Sequence, residues 1–482
     1  MCREAGKDKG RTMEEKIREN TELKENKMGV MPMNRLLIGM AFPMICSMLV
    51  QAFYNIVDSF FVARIVDEGA EASSAGTAAL SALGMAFPFQ TLVIAVAAGT
   101  GVGMNAVLSK ALGEKDQETV RKAANNGVFL SICSFIFFFV LGGLFAPLLI
   151  ASQKGEGLTL QYGTQYLRIV CMGSVGVYMQ FIFERLLQST GKTVYSMITQ
   201  LAGAIINIIL DPILIFGYFG FPELKVAGAA IATIVGQIVA ACVAFILNKK
   251  FNEEVQLSFK GFKPDGAMIR RIYSVGLPSI IMQSIGSLMT FCMNRIRGGL
   301  NEACVAVFTV YFKLQSLFFM PLFGMNNGVI PILAYNFGAR KRKRMMQVIR
   351  LAMFYAFCFM AVGFALFELI PEQLLRLFDT GDDSLIVYGV PALRTIAWHY
   401  MLAWFCIIAG TTFQALGNGV YSLIVSVARQ LVVLIPVAYI LAKLGGTALI
   451  WWCFPIAELM SLLVSTFFLI RIYRQVIAPI PE

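Results

Sequence analysis

The sequence is poor in charge, in histidine and in paired cysteine. Charged residues make up only 14% of the chain, and histidine occurs once, as His399. A soluble protein of this length needs more charge to cover its surface, and a membrane-embedded enzyme needs converging nucleophiles, histidines or metal ligands. None of the ten cysteines has the paired spacing of a zinc site, and the sequence has no Walker motif. These absences argue against a soluble enzyme, a zinc protein and a transport ATPase.

The chain is instead rich in long apolar runs. Hydrophobic residues make up 57% of it, and its mean hydropathy is +0.70. The apolar residues form blocks of about 20 residues or more, the length at which a helix crosses a bilayer. The predicted spans are 36–65, 76–108, 122–151, 162–188, 193–217, 226–248, 268–297, 303–335, 346–370, 385–415, 419–442 and 447–473. We therefore predict an all-α integral membrane protein with twelve transmembrane helices.

The second half of the chain repeats the first. Three motif pairs recur in the same order at nearly constant offset: Pro43 with Pro278, Gly113 with Gly338, and Gly191 with Gly417. Each copy contains six predicted spans, so each begins and ends on the same side of the membrane, and the two copies are parallel repeats. Such duplication is typical of transporters whose substrate site lies between the repeats, and it favours a transporter over a receptor or a channel.

The predicted domain division follows this repeat. It comprises a disordered tail, a first lobe, a linker, a second lobe and a C-terminal tail: 1–32, 33–250, 251–265, 266–475 and 476–482. The first tail is polar and of mixed charge, which is typical of disorder, and it lacks the apolar stretch of a secretory signal.

Basic residues collect in the loops on one side of the predicted bundle, which we call the basic face. They are Lys110, Lys115, Arg121, Lys122, Lys249, Lys250, Lys260, Lys263, Arg270, Arg271, the run ARKRKR at 339–344, Arg471 and Arg474. The opposite side carries the acidic runs VDEGAE at 66–71 and FDTGDD at 378–383. The excess of Lys and Arg predicts that the basic face and both termini lie in the cytoplasm. Because this charge is divided among short loops, we expect no nucleic-acid partner.

The first predicted helix carries a polar stripe. Gln51, Tyr54, Asn55 and Asp58 are spaced at i, i+3, i+4 and i+7, so they share one helix face. A carboxylate at this depth is costly in lipid, which indicates that the stripe points into protein or water. Asp58 is therefore a candidate cation-binding residue, the alternative being a carboxylate held permanently by hydrogen bonds.

The fifth predicted helix supplies a second carboxylate. Asn207 and Asp211 are one turn apart, and Pro212 frees a backbone carbonyl nearby. Two carboxylates that meet in a low dielectric cannot both ionise cheaply, so one is expected to hold a proton. With Asn207 and the hydroxyl of Thr233, the same cluster is also suited to Na⁺ through oxygen ligands. The sequence leaves H⁺ and Na⁺ as alternatives.

Further side chains are candidates for the substrate cavity. They are Gln51, Asn55, Gln283, Trp398 and His399. Trp398 offers a ring face to an organic cation. His399 either contacts substrate and titrates or packs at a helix interface.

Some charges remain to be explained. Lys313 and Arg429 lie within apolar segments of the second half, where Glu368 or Glu458 neutralises them or where they bind an anionic group. We interpret them as structural or conformational latches. Glu184 and Arg185 are predicted to form a local ion pair.

Several motifs resemble those of the multidrug and toxic compound extrusion family, in particular its prokaryotic DNA-damage-inducible branch. They are FPMICSMLVQAFYNIVDSFFV, GTGVGMNAVLSKALGEKD, NIILDPILIFG, GAAIAT and TFQALGNGVYSLIVSVARQ, and the resemblance covers about residues 33–474. It implies two six-helix lobes around a V-shaped cavity in a bacterial cytoplasmic membrane protein. The family's cation site maps onto Asp58, Asn207, Asp211, Thr233 and Tyr54, and its first-helix bend maps onto Pro43.

The function expected on these grounds is secondary antiport. The protein is predicted to export drug-like, cationic amphipathic compounds in exchange for H⁺ or Na⁺, as a monomer and without a cofactor. The alternative is a flippase for a lipid-linked saccharide or peptide precursor, which should have more cations in its cavity, and Lys313 and Arg429 keep this alternative open.

Overall fold

The computed structural model describes residues 26–62, 64–65, 72–152, 157–298, 302–376 and 384–481. Every regular element in these ranges is helical, which confirms the predicted fold class. The acidic runs at 66–71 and 378–383 lie outside the described residues.

Six helices build the first lobe, and the fourth of them is bent. They are α1 Met33–Val62, α2 Ala72–Glu114, α3 Gln117–Ala151, α4 Gly157–Met172 with Val175–Ser189, α5 Thr193–Phe216 and α6 Lys225–Phe251. The two parts of α4 meet at 45°.

The second lobe has the same order. Its helices are α7 Gly266–Gly298, α8 Glu302–Gly338, α9 Arg342–Leu369, α10 Ser384–Ala397 with Tyr400–Ala415, α11 Gly419–Val427 continuing through Ala428–Leu434 and Ile435–Leu449, and α12 Cys453–Ile472. The two parts of α10 meet at 49°, close to the bend of α4. The stretch Ala428–Leu434 is π-helical. By length and hydropathy, eight described stretches qualify as membrane spans, or ten when each bent pair is one span, and the last stretch contains both α11 and α12.

The backbone repeats at the turns as the sequence does. Gly191 and Gly417 both adopt left-handed conformations, with φ of 82° and 81°. Only glycine takes up such a φ without strain, which explains why this residue recurs at both turns. Lys115 and Arg340 occupy the corresponding left-handed positions after α2 and α8, with φ of 58° and 54°.

The turn from α2 into α3 shows how this geometry is held. Asp116 caps α3, and its carboxylate accepts hydrogen bonds from the Thr119 backbone N–H at 3.0 Å and from the Thr119 hydroxyl at 2.6 Å. These hydrogen bonds hold the pKa of Asp116 below its usual value. The cap satisfies the first turn of α3 and allows only two residues to separate the helices.

The two lobes meet in backbone contact near the basic face. A Cβ added at Gly103 in α2 would lie 2.1 Å from the carbonyl oxygen of Ile272 in α7. A Cβ at Gly113 would lie 2.0 Å from the carbonyl of Tyr335 in α8, and one at Gly338 would lie 2.1 Å from the carbonyl of Lys110. Small residues permit such close helix packing. Gly113 and Gly338 are related by the sequence repeat, and both therefore contribute to closing the seam between the lobes.

Residues 26–31, which we call the N-terminal clasp, cross the basic face. The end of the tail 1–32, which the sequence predicts to be disordered, is ordered in the structure. The chain is helical over Lys27–Val30, and Met28 is 0% exposed. The amide Nδ2 of Asn26 donates to the Glu254 carboxylate at 2.7 and 2.9 Å and to the carbonyl of Thr190 at 3.1 Å. These bonds tie the clasp to the first lobe.

The second lobe holds the same segment from the other side. Arg344 Nη2 donates to the carbonyls of Met28 at 3.0 Å and Met31 at 2.7 Å. Asn336 Nδ2 also donates to the Met28 carbonyl, at 3.1 Å. The order arises from tertiary contacts that no local pattern predicts, because the segment itself is only six residues long.

Arg344→Gln is expected to loosen the clasp. The change removes two charge-assisted hydrogen bonds worth about 1.5–3 kcal/mol each, and the loss of even one of them should make the clasp open at least about tenfold more often. The measurement is the rate at which a maleimide labels a cysteine introduced at Met28, in a background without native cysteines. Arg342→Gln is the matched control, because the half-buried Arg342 donates to the Tyr473 hydroxyl and, among the described residues, to no atom of the clasp. Equal labelling in the two variants would count against the clasp.

Candidate functional site in the first lobe

The carboxylate of Asp211 is buried inside the first lobe. The residue is 0% exposed, and Pro212 follows it without ending α5. Asn207 Nδ2 lies 3.4 Å from Asp211 Oδ1 and 3.4 Å from Thr233 Oγ1 on α6. Thr233 donates to the carbonyl of Ala229 at 3.0 Å. Three side chains that the sequence assigns to one cluster thus lie together.

Two facing glycines bring α5 and α6 close enough for these contacts. A Cβ at Gly203 would lie 3.0 Å from the Gly236 carbonyl oxygen, and one at Gly236 would lie 2.8 Å from the Gly203 carbonyl oxygen. The Cβ at Gly236 would also lie 3.2 Å from Asn207 Cβ. Close packing at small residues therefore sets the position of Asn207 relative to α6.

α1 brings Asp58 and Tyr54 to the same cluster. Asp58 is near enough to Asp211 for their charges to interact, and Tyr54 interacts with both carboxylates. Oδ1 of Asp58 and Oδ2 of Asp211 are buried and have no hydrogen-bond partner among the described residues. A buried unpartnered carboxylate oxygen is costly, and a proton or an oxygen-coordinated cation relieves that cost. The arrangement is chemically suited to cation binding.

A cavity of about 70 Å³ lies directly beside this cluster. Its polar lining comes from α1, α4, α5 and α6: Ser47, Gln51, Tyr54, Gln180, Gln200, Asn207, Thr233 and Gln237. Its remaining lining is apolar or glycine: Val50, Ile94, Val177, Phe181, Gly203, Ala204 and Gly236. Three of the polar residues also belong to the carboxylate cluster, so an occupant of the cavity and an ion on the carboxylates would share side chains.

Sequence reasoning missed a third buried acid. Glu184 on α4 is 2% exposed, and its two oxygens accept hydrogen bonds from Gln180 Nε2 at 2.9 Å and Gln200 Nε2 at 2.7 Å. Both glutamines line the cavity. Gln180 and Glu184 are spaced at i and i+4 on α4, which was the available signal. This spacing was overlooked because the adjacent Arg185 suggested a local ion pair with Glu184.

That predicted ion pair is wrong. Arg185 Nη1 instead donates to Gln188 Oε1 at 2.7 Å and to Asn327 Oδ1 at 2.9 Å, and Asn327 belongs to α8 of the second lobe. Consecutive residues on a helix point about 100° apart, so Glu184 and Arg185 serve different surfaces. Glu184 faces the cavity side and Arg185 faces the seam.

Pro43 lies inside α1, and the helix continues through it from Met33 to Val62. A proline removes one helical hydrogen bond, which lowers the cost of bending at that point. Ser47 Oγ donates to the Pro43 carbonyl at 3.0 Å, a side-chain back-bond of the kind that often bends helices. The hinge assigned to Pro43 stays a prediction.

The other predicted cavity residues do not gather here. Among the described residues that line the cavity, only Gln51 comes from that set. Gln283 is exposed on α7, and the side chain of Asn55 lies outside what the structure describes. Trp398 is 53% exposed and its ring contacts Phe364.

His399 is packed among aromatic rings in the second lobe. It is 3% exposed and stacks on Phe319 with centroids 5.8 Å apart. Its Nδ1 lies 2.7 Å from the carbonyl of Ile396, which assigns the donor to Nδ1, and its Nε2 lies 3.4 Å from the Tyr311 hydroxyl. This geometry corresponds to the packed helix-interface alternative.

Comparison with known proteins agrees with this architecture. The MatE family model matches residues 43–213 and 278–440, one match in each lobe. The multidrug export protein MepA of Staphylococcus haemolyticus (strain JCSC1435) is 26% identical over 437 residues, covering 90% of this chain and 92% of its own. MepA of Staphylococcus aureus (strain MRSA252) is 26% identical over 435 residues, covering 90% of this chain and 93% of its own.

Solved structures match over nearly the whole chain. An outward-facing conformation of a multidrug resistance MATE family transporter of the MOP superfamily superposes with a TM-score of 0.86, 25% identity and coverage of 94% and 98%. A MOP superfamily transporter from Pyrococcus furiosus Vc1 (DSM3638) is described as having a binding pocket of reverse polarity. It superposes with a TM-score of 0.84 and 25% identity, covering 95% of this chain and 99% of its own. Since the family model covers more than half of the chain, this multi-pass membrane protein belongs to the MatE family, whose members are transporters and not enzymes.

Proposed function

We propose that the protein exports amphipathic organic cations in exchange for H⁺ or Na⁺. The observation that carries this proposal is the juxtaposition of Asp58 and Asp211 with the cavity through Tyr54, Asn207 and Thr233. A cation on the carboxylates removes the negative charge that attracts a cationic substrate, so the two occupants compete. The names of the MepA relatives as multidrug export proteins support export and drug-like substrates.

α1 is the element proposed to convert binding into movement. It packs against α5 within its own lobe and against α8 across the seam. A Cβ at Gly328 of α8 would lie 3.0 Å from Ala41, next to the proline at Pro43, so the seam side of α1 is tightly packed. Neutralising Asp58 and Asp211 changes how α1 packs on α5, and bending near Pro43 passes that change to α8.

We propose that the conformation with this closed seam is one of the two conformations between which the transporter alternates. The contacts at Gly103, Gly113 and the N-terminal clasp close the basic face, which the excess of Lys and Arg assigns to the cytoplasm. The outward-facing relative with the same fold supports this assignment. We propose a bacterial cytoplasmic membrane, with both termini inside and one chain as the transport unit. Alternating access then requires these contacts to separate.

Purified protein in liposomes tests the exchange directly. Uptake of ethidium should follow an imposed pH gradient or an imposed Na⁺ gradient, and an ionophore that dissipates only that gradient should abolish it. The gradient that drives uptake identifies the coupling ion as H⁺ or Na⁺. Uptake that ignores both gradients would refute antiport.

The flippase alternative receives less support. A lipid-linked pyrophosphate headgroup calls for cationic side chains, whereas the cavity of the first lobe is lined by neutral polar and apolar residues. Arg429, one of the cations that favoured a flippase, does not line that cavity.

A further inference from the structure

The second lobe contains a charged group at mid-depth that the proposed exchange does not use. Arg429 lies in the π-helical stretch Ala428–Leu434, ten residues after α11 begins at Gly419. At 1.5 Å per residue this is roughly 15 Å along the helix, about half of a 30 Å hydrocarbon core. Arg429 therefore lies too deep for its charge to be explained by a position at the membrane surface.

Arg429 lies on the protein-facing side of α11. Val420, Ile424 and Val432 are 52%, 42% and 62% exposed, as expected for side chains that meet lipid. Ser422 and Val425, seven and four residues before Arg429 and on its face of the helix, are buried.

The arginine side chain is nevertheless 29% exposed. The π-helical stretch Ala428–Leu434 packs against α7 and α12, and α7 borders the seam between the lobes. A guanidinium at this depth is expensive in lipid, which favours a water-accessible space between helices on its exposed side.

Its ion pair uses only part of the guanidinium. Arg429 Nη1 lies 3.2 Å from Glu458 Oε2 on α12, and the Glu458 side chain is 4% exposed. A guanidinium has five N–H donors in a planar fork, and this is the single hydrogen bond that Arg429 makes within the described residues. The other edge of the fork is available to a second carboxylate.

The surroundings of the pair are polar and incompletely satisfied. Glu458, Ser461 and Ser465 share one face of α12, the Cys406 thiol lies beside Glu458 and Ser461, and Ser465 Oγ is buried without a partner in the described part of the chain. A buried ion pair is a weak source of stability, and π-helical turns occur frequently at functional sites. Both points favour a role beyond packing.

We propose that Arg429, oriented by Glu458, is an anion-binding subsite that receives the carboxylate of zwitterionic substrates. The inference rests on the proposed export function and narrows its substrate class. Arginine binds carboxylates bidentately through its fork. The carboxylate cluster of the first lobe attracts the cationic end of a substrate and Arg429 attracts its anionic end, so the two lobes present opposite charges to one molecule.

A matched pair of probes tests the subsite. One is a fluorescent zwitterionic quinolone, and the other is its ethyl ester, which keeps the rings and the amine but lacks the carboxylate. The informative variant is Arg429→Gln combined with Glu458→Gln, because it removes both buried charges together and avoids leaving Glu458 unpaired. Arg376→Gln combined with Glu372→Gln, which removes an exposed ion pair, is the control for loss of one positive and one negative charge.

We expect the parent protein to bind and export the zwitterion better than the ester. The double variant should lose this preference for the zwitterion over the ester by about tenfold, as expected when a charge-assisted contact is lost. Arg429→Lys should retain part of the preference, because it keeps the charge but not the fork.

An unchanged zwitterion-to-ester ratio in the double variant would overturn the subsite, as would a parent protein without any preference. Equilibrium binding to detergent-purified protein separates this proposal from the one on which it rests. If the parent binds the zwitterion preferentially but exports no probe under any gradient, the antiport function fails and the subsite stands.

Discussion

Replacing Asp211 or Asp58 by asparagine is expected to reduce gradient-driven export to background, a loss of at least about tenfold for either change. Asparagine has nearly the same shape but binds neither a proton nor a cation in the way a carboxylate does. The fully buried Asp211 loses a charge without leaving a cavity, so the protein should still insert and fold. The measurement is ethidium efflux from cells, together with the thermal stability of the purified variants.

Glu118→Gln is the matched control for this pair. Glu118 pairs with Lys122 at 2.7 Å on the surface of α3, where both side chains are well exposed. The same acid-to-amide change should leave export unaltered there, because surface ion pairs contribute little. If Asp58→Asn and Asp211→Asn both exported at the parent rate, the carboxylate pair would have no part in coupling.

A methyl group added at Gly113 is expected to abolish export by preventing closure of the basic face. The new Cβ would lie 2.0 Å from the carbonyl oxygen of Tyr335, and a backbone atom cannot turn aside as a side chain can. Relief requires the lobes to separate, at a cost of about 1–3 kcal/mol or more. Gly113→Ala should therefore lower the export rate at least about tenfold and speed maleimide labelling of a cysteine introduced at Met28.

Gly39→Ala isolates the steric effect from the chemistry of the substitution. Gly39 lies in α1, and a Cβ there would meet no atom within 4 Å. Alanine in a helix interior is about 0.5–1 kcal/mol more favourable than glycine, so this variant should export normally and be at least as stable as the parent. Normal export by Gly113→Ala would show that the contact with Tyr335 is not needed for transport.

Local patterns carried the prediction of the carboxylate cluster. The i, i+3, i+4, i+7 spacing that ends at Asp58 places four residues on one face of α1, and Asn207 with Asp211 does the same on α5. A carboxylate inside an apolar helix must avoid lipid, which leaves few places for it. Their meeting at one site follows from this constraint together with the packing of α1 on α5.

Glu184 and Arg429 show where local patterns stop being informative. Glu184 looked neutralised by its neighbour in the chain, but adjacent helical residues diverge, and its partners Gln180 and Gln200 come from two different helices. Arg429 could have paired with either of two acids. Only the packing of α11 on α12 selected Glu458.

The sequence by itself determined the membrane class, the helical architecture and the twofold repeat, because hydropathy, helical spacing and motif recurrence are properties of the chain alone. The tertiary structure decided which polar groups share a cavity, which glycines of α2 and α8 close the seam, and that the N-terminal clasp joins both lobes. Those outcomes depend on the rotation and distance of helices relative to one another. Close packing of backbone and side chains sets that geometry, and periodicity within one helix does not specify it.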